Sequence, residues 1–222
     1  MISIAPTILV SDEGALKGRL AAIKPYYMRA QVDVLNNSFV NATSFADPDV
    51  IERHVSELQC EIDLMVDVDG YDIAQWNRAW VDAISFHVEA SSDPAATIDA
   101  IRSFQKRVVL SINPDTDIEM LEPFIRKIDG VLFMTVYPGR SGNPFQTHVL
   151  DAIRTFHVAH PGVPIEVDGG ISAETMPEFL DIGVTGFAIG SYLSNEKIEE
   201  NTQVLISLVE AFEQKQASRK RS

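Results

Sequence analysis

The fold that the sequence predicts is of class α/β, a (β/α)8 TIM barrel, and three observations predict it. Short apolar runs alternate with helix-length amphipathic segments eight times along the 222 residues. Six of these runs end in a polar or glycine residue: Gln31-Val32-Asp33, Ile62-Asp63, Phe86-His87, Ile112-Asn113, Val167-Asp168-Gly169-Gly170 and Ile189-Gly190-Ser191. A parallel barrel carries its chemistry there, at the carboxyl ends of the strands. The connections are short, with no Pro/Gly/Ser-rich linker to mark a boundary, so one barrel over residues 1–216 and a basic tail over 217–222 are expected.

Taken in order, Ile2 to Leu9 reads as a strand and Asp12 to Ile23 as a helix with Leu16, Leu20 and Ile23 on one face. Tyr27 to Leu35 is strand-like, and Asp47 to Leu58 helical, opened by Asp47-Pro48 in the order that suits a cap and a first turn. Glu61 to Val66 precedes a short helical stretch from Ile73 to Trp80, and Ala83 to Val88 precedes Asp93 to Phe104. Arg107 to Ile112 leads to Ile118 to Lys127, and Val131 to Val136 to Pro144 to Ala159. The last two units join Ile165 to Val167 with Ala173 to Ile182, and Gly186 to Ile189 with Ile198 to Gln214. The strands read as nearly continuous apolar runs, as expected when both faces are covered. The same rhythm suits a doubly wound open sheet, but no G-x-G-x-x-G follows the first strand.

Composition narrows the function classes. A hydrophobic content of 45% can bury one sizeable core. A formal net charge of -14 repels polyphosphates and argues against nucleic-acid binding. The basic cluster Arg219-Lys220-Arg221 reads as a solvated tail. Cys60 is the single cysteine, no apolar run reaches membrane-span length, and Met1-Ile2-Ser3 leads straight into a strand. A cytoplasmic protein without a membrane partner is expected, and a homo-oligomer.

Glycine at a strand end lets a phosphate approach backbone N–H groups, and barrels commonly place that site after their last two strands. Gly169-Gly170 and Gly190-Ser191 fall there, although each could simply make a tight turn. The loop Pro138-Gly139-Arg140-Ser141-Gly142-Asn143-Pro144 could fold over a ligand, with Arg140 adding charge. Asp33 and Asp168 end the second and seventh strands and could face each other across the barrel mouth. Two carboxylates on opposite sides of a carbon next to a carbonyl can remove a proton from one face and return one to the other. Alone, either aspartate reads as a cap of the segment that follows. His87 could donate a hydrogen bond into the site or be a satisfied strand-end histidine; His54, His148, His157 and His160 have no ligand spacing. Met65 and Met134 end apolar runs and taken alone read as core.

At these residues the chain resembles the ribulose-phosphate 3-epimerase family over nearly its full length. The resemblance is carried by Ala5-Pro6-Thr7-Ile8-Leu9, with threonine for the usual serine, by Ile84-Ser85-Phe86-His87-Val88-Glu89-Ala90, and by Asn113-Pro114. Met134-Thr135-Val136-Tyr137-Pro138-Gly139 and Val167-Asp168-Gly169-Gly170-Ile171 complete it. It implies a barrel of the ribulose-phosphate-binding type in which Asp33 and Asp168 interconvert D-ribulose 5-phosphate and D-xylulose 5-phosphate through an enediolate. The expected substrate contacts are Thr7, Asp63, Met65, Met134, Gly139, Arg140, Ser141, Gly142, Gly169, Gly170, Gly190 and Ser191.

The departures fall at the metal and sugar ends. The family holds a divalent cation with His and Asp on the second strand, His on the third and Asp on the seventh. Here Gln31 and Asp63 stand at the two His positions, giving Gln31, Asp33, Asp63 and Asp168 as an all-oxygen set. Such a set could hold Mg²⁺ or Mn²⁺ in preference to Zn²⁺ or Fe²⁺, or no metal. Leu35-Asn36-Asn37 replaces a Met-Asp-Gly segment, Tyr137 an asparagine, and Arg140-Ser141 a phenylalanine and a glycine. Besides this epimerase, an epimerase of another ketose phosphate and a weak or inactive sugar-phosphate-binding paralogue stay open. A related barrel lyase or synthase is disfavoured, because Leu35 stands where its lysine would be, and so is a class I aldolase, because no lysine ends a strand to form a Schiff base.

Overall fold

The computed structural model describes residues 2–139, 142–143 and 145–219, with the backbone alone for Arg219. Eight parallel strands close in chain order: β1 (Ser3–Ile8), β2 (Arg29–Val34), β3 (Gln59–Leu64), β4 (Val81–His87), β5 (Arg107–Ile112), β6 (Gly130–Met134), β7 (Ile165–Asp168) and β8 (Gly186–Ile189). Pairing of β1 with β8, Ser3 opposite Gly186 and Ala5 opposite Ala188, completes the ring and excludes the open sheet.

The α-helices of the described residues are α1 (Glu13–Ile23), α2 (Pro48–Val55), α3 (Pro94–Ser103), α4 (Val149–Ala159), α5 (Met176–Ile182) and α6 (Ile198–Arg219). Asp12 starts α1 by accepting from Ala15 N at 2.8 Å, and Asp47 starts α2 by accepting from the N–H groups of Asp49 and Val50 ahead of Pro48 in the first turn. Three helices are shorter than their sequence patterns. Ser56 at φ 57 ends α2 before Leu58, while α4 begins at Val149 rather than Pro144 and α5 at Met176 rather than Ala173. By contrast α6 runs past Gln214 to Arg219.

Two crossovers lack an α-helix. Between β3 and β4 the chain makes 3₁₀ turns at Val68–Gly70 and Ile73–Trp76. There Asp67 and Asp72 accept from the N–H groups two residues on, turns that compete with helix, and Trp76 fills the gap edge-on to Trp80 at 6.2 Å. Between β5 and β6 the stretch Ile118–Lys127 is 3₁₀ throughout, with Pro123 inside it. Proline has no N–H and clashes with the carbonyl four residues back, which removes the α-helical ladder.

The strands also differ from the continuous apolar runs expected. Val32 and Val34, Ile62 and Leu64, Ile84 and Phe86, and Leu110 and Ile112 pack with Leu16, Leu20, Ile51, Ile101 and Phe156 of the helices in one apolar core. Their alternating neighbours, Gln31, Asp33, Glu61, Asp63, Ser85, His87 and Ser111, are polar and buried. Since side chains alternate across a strand, the polar set faces the inside of the barrel. Register then aligns Thr7 with Gln31, Asp33 with Asp63, Asp63 with Ser85, and Met134 with Asp168.

Candidate active site

A cavity of about 60 Å³ opens at the carboxyl ends of the strands. Thr7, Asp33, Met65, Met134, Gly139, Gly142, Asp168, Gly169, Gly170, Gly190 and Ser191 line it, so the two methionines face the cavity as well as the core. Asn143, Leu9, Leu35, Val136 and Ile171 line it too; the sequence set them in strand-end motifs and the following loop without marking any of the five as a contact. Arg140 and Ser141 lie outside the described residues. A larger cavity of about 480 Å³ sits at the opposite mouth, lined by Arg29, Glu61, Arg107 and Glu166 with Gln31. Barrel chemistry belongs to the carboxyl end, which makes the smaller cavity the candidate site.

Below it lies a buried acidic centre. Carboxylate oxygens of Asp33, Asp63 and Asp168 all come within 4.8 Å of one another. Gln31 Nε2 donates to Asp33 Oδ1 at 3.0 Å and to Asp168 Oδ2 at 2.9 Å, joining β2 to β7 across the barrel. Asp63 does not line the cavity; it is fully buried and accepts from Ser85 at 2.7 Å and Ser111 at 3.4 Å through Oδ1, while Oδ2 has no partner among the described residues. The unpartnered oxygen and the close carboxylates could accommodate a divalent cation. Gln31 presents its amide nitrogen to them, so its oxygen is not turned toward the aspartates.

Burial and mutual repulsion set the electrostatics. Desolvation and then the neighbouring Asp168 and Asp63 charges hold the Asp33 carboxyl well above its ordinary range. Asp168 is pushed up to about 7 by desolvation and the Asp63 charge, against the relief given by Gln31. Desolvation also raises Asp63, offset by His87 and the two serines. Near neutral pH this centre therefore retains protons that exposed aspartates would have lost.

Several supporting residues escaped the sequence reading. Arg19, on the buried face of α1, donates to Thr7 O at 2.8 Å and to Leu193 O at 2.5 Å, tying β1 to the segment after β8. Ser44 donates to Asp33 O at 2.7 Å, and Thr135 to Asp168 O at 2.9 Å. Arg19 had a legible signal, since it shares the stripe of Leu16, Leu20 and Ile23. His87 is fully buried, its Nδ1 3.4 Å from Glu89 Oε2 and its ring 4.9 Å from Phe39.

The turn after β2 takes left-handed backbone at Asn37, φ 66, which asparagine tolerates in place of a glycine. Gly169 has no such substitute. Its φ is +106, and an added Cβ would lie 2.4 Å from Val136 Cγ2. Gly169→Ala should therefore destabilise the fold by about 2–4 kcal/mol in chemical denaturation. A loss under about 0.5 kcal/mol would mean that the turn re-forms around the methyl group. The segment after Gly190 is a single 3₁₀ turn, Ser191–Leu193, rather than the start of a long helix, so N–H placement and not a helix dipole is what this end offers an anion.

The sequence model of the Ribulose-phosphate 3 epimerase family matches residues 3–194. Ribulose-phosphate 3-epimerase 2 of Cupriavidus necator is 33% identical over 201 residues, covering 86% of this chain and 83% of that protein. Ribulose-phosphate 3-epimerase of Bacillus subtilis is 30% identical over 199 residues, covering 86% and 91%. The crystal structure of 3-hexulose-6-phosphate synthase superposes with a TM-score of 0.65 over 93% of this chain and 99% of that one, at 14% identity. A mutant tryptophan synthase alpha-subunit from Pyrococcus furiosus gives 0.66 over 96% and 98%, at 15% identity. These two share the barrel and, at such identity, nothing more. With the family model spanning both strand-end aspartates and relatives matched across most of their length, the chain belongs to the ribulose-phosphate 3 epimerase family.

Proposed function

We propose that the protein is a sugar-phosphate 3-epimerase that interconverts D-ribulose 5-phosphate and D-xylulose 5-phosphate. The observation that carries this reading is the pair Asp33 and Asp168, on β2 and β7, lining one cavity and joined through Gln31. With the ketose between them, one carboxylate takes the proton from C3 and the C3–H electron pair moves into the C2 carbonyl, giving an enediolate. The other aspartate, in its acid form, returns a proton to the opposite face of C3. One acid and one base are needed at the same moment, and the raised Asp33 and Asp168 values favour that half-protonated pair near neutral pH.

The substrate phosphate is assigned to the N–H groups about Gly169, Gly170, Gly190 and Ser191, with Gly139 and Gly142 on the wall of the same cavity. Thr7, Met65 and Met134 are assigned to the sugar end. A divalent cation among Asp33, Asp63 and Asp168 would supply charge to stabilise the enediolate oxygens, but it would have to share carboxylates that already accept from Gln31. Oxygen donors favour Mg²⁺ or Mn²⁺ over Zn²⁺ or Fe²⁺ for that place.

Incubation with D-ribulose 5-phosphate in D₂O, followed by NMR, tests the reading. Deuterium should enter at C3 while D-xylulose 5-phosphate accumulates. Binding without exchange would replace this reading with that of a sugar-phosphate-binding paralogue. Titration calorimetry should also show D-ribulose bound at least about a hundredfold more weakly than its 5-phosphate, since charge-assisted bonds to the phosphate are lost. Equal affinities would remove the phosphate assignment.

A further inference from the structure

We infer that Gln31 is a positioning residue whose amide nitrogen fastens Asp33 and Asp168 into a single proton-exchanging pair, in place of a tightly held cation. The inference rests on the reading of those two aspartates as acid and base. Gln31 is 2% exposed, and its Nε2 stands 3.0 Å from Asp33 Oδ1 and 2.9 Å from Asp168 Oδ2. A carboxamide nitrogen has two N–H donors, and these contacts use both. Gln31 engages one oxygen of each carboxylate and leaves the other to meet the substrate.

A neutral donor suits this task. An N–H can donate to a carboxylate oxygen or to the carbonyl oxygen of a carboxylic acid, so the link survives as the proton moves from one aspartate to the other. It adds no net charge and favours neither direction of the reaction by charge.

The same geometry opposes a cation. An amide nitrogen carries its hydrogens toward the aspartates and offers a metal no lone pair. A cation on Asp33 Oδ1 or Asp168 Oδ2 would have to displace a Gln31 hydrogen, and one on the remaining oxygens would occupy the atoms that proton transfer uses. The Gln31 link and a shared cation are therefore alternative ways of holding the same carboxylates. The link is the one formed here.

The test compares the native protein with Gln31→Met, which keeps the length of the side chain, and the isosteric Gln31→Glu. In ¹⁵N–¹H spectra of metal-free native protein, the Gln31 side-chain amide, assigned by its loss in both variants, should exchange slowly with solvent. It should keep its shifts when millimolar Mg²⁺ is added. Electron paramagnetic resonance should show Mn²⁺ bound at least about tenfold more tightly by Gln31→Glu, which replaces the competing donors with a fourth carboxylate.

With chelator present, native C3 exchange should be unchanged. Gln31→Met should lower kcat by at least about thirtyfold with KM within about twofold, the pattern of an interaction that matters in the transition state. An amide that loses its protection on Mg²⁺ addition, or a native protein inactive until loaded with metal, would overturn the inference. A protected, Mg²⁺-insensitive amide in a native protein that exchanges no deuterium would leave the link demonstrated and locate the failure in the epimerase reading.

Discussion

Asp33→Asn and Asp168→Asn should each lower interconversion of D-ribulose 5-phosphate and D-xylulose 5-phosphate by at least about a hundredfold, the usual scale for losing a positioned acid or base. Asparagine preserves shape and still offers an oxygen to Gln31 Nε2, so the contact between β2 and β7 can persist while the proton carrier is gone. A sharper signature follows from the two faces of C3. Each single variant keeps one aspartate, which can still remove and return a proton on its own side. Each should therefore wash deuterium into one epimer and leave the other untouched, with the preferred epimer reversed between the two variants. NMR of both sugars in D₂O reads this directly. Turnover within about fivefold of native in either variant, or exchange into both epimers, would remove the two-base assignment.

The Asp168→Asn variant should also be more stable than the native protein at pH 8, by about 2–4 kcal/mol. Asp168 is raised from 3.8 to about 7 on folding, chiefly by desolvation and by Asp63. The folded chain thus binds its proton more tightly than the unfolded chain does, and stability contributed by this group is present at low pH and lost as pH rises toward about 7. Above that pH the folded protein carries a buried charge that the unfolded protein carries in water. Asparagine never ionises, so its advantage should vanish near pH 4 and reach its full size by pH 8. Asp33 is shifted in the same direction by the same causes. Urea unfolding across that range is the measurement, and a variant with no pH-dependent gain would show that the carboxyl group is not desolvated as described. The expected pairing of lost activity with gained stability is what a strained acidic site should produce.

Much of the candidate site is written locally. Gly169 is legible because it stands next to the strand that it serves, whereas its positive φ and its crowding against Val136 arise only once β6 and β7 pair. Asp33 and Asp168 are legible because a strand end points a carboxylate into the barrel mouth wherever the barrel closes. Even the missing helices were written locally, in Asp67, Asp72 and Pro123, although hydrophobic spacing alone had indicated helices there.

By itself, then, the sequence determined the barrel rhythm and the polar and glycine residues at its strand ends, Asp33 and Asp168 among them, since these follow from periodicity within a few residues. Only the tertiary structure decided what Gln31 does. Its partner Asp168 is 137 residues away, and the bond exists because closure brings β2 and β7 to opposite sides of one polar interior. Closure also placed Asp63 beneath the cavity rather than in its wall, and crowded three carboxylates within 4.8 Å, out of water. Charge repulsion and desolvation act through space, and the spacing of residues along a chain does not encode them until the strands have met.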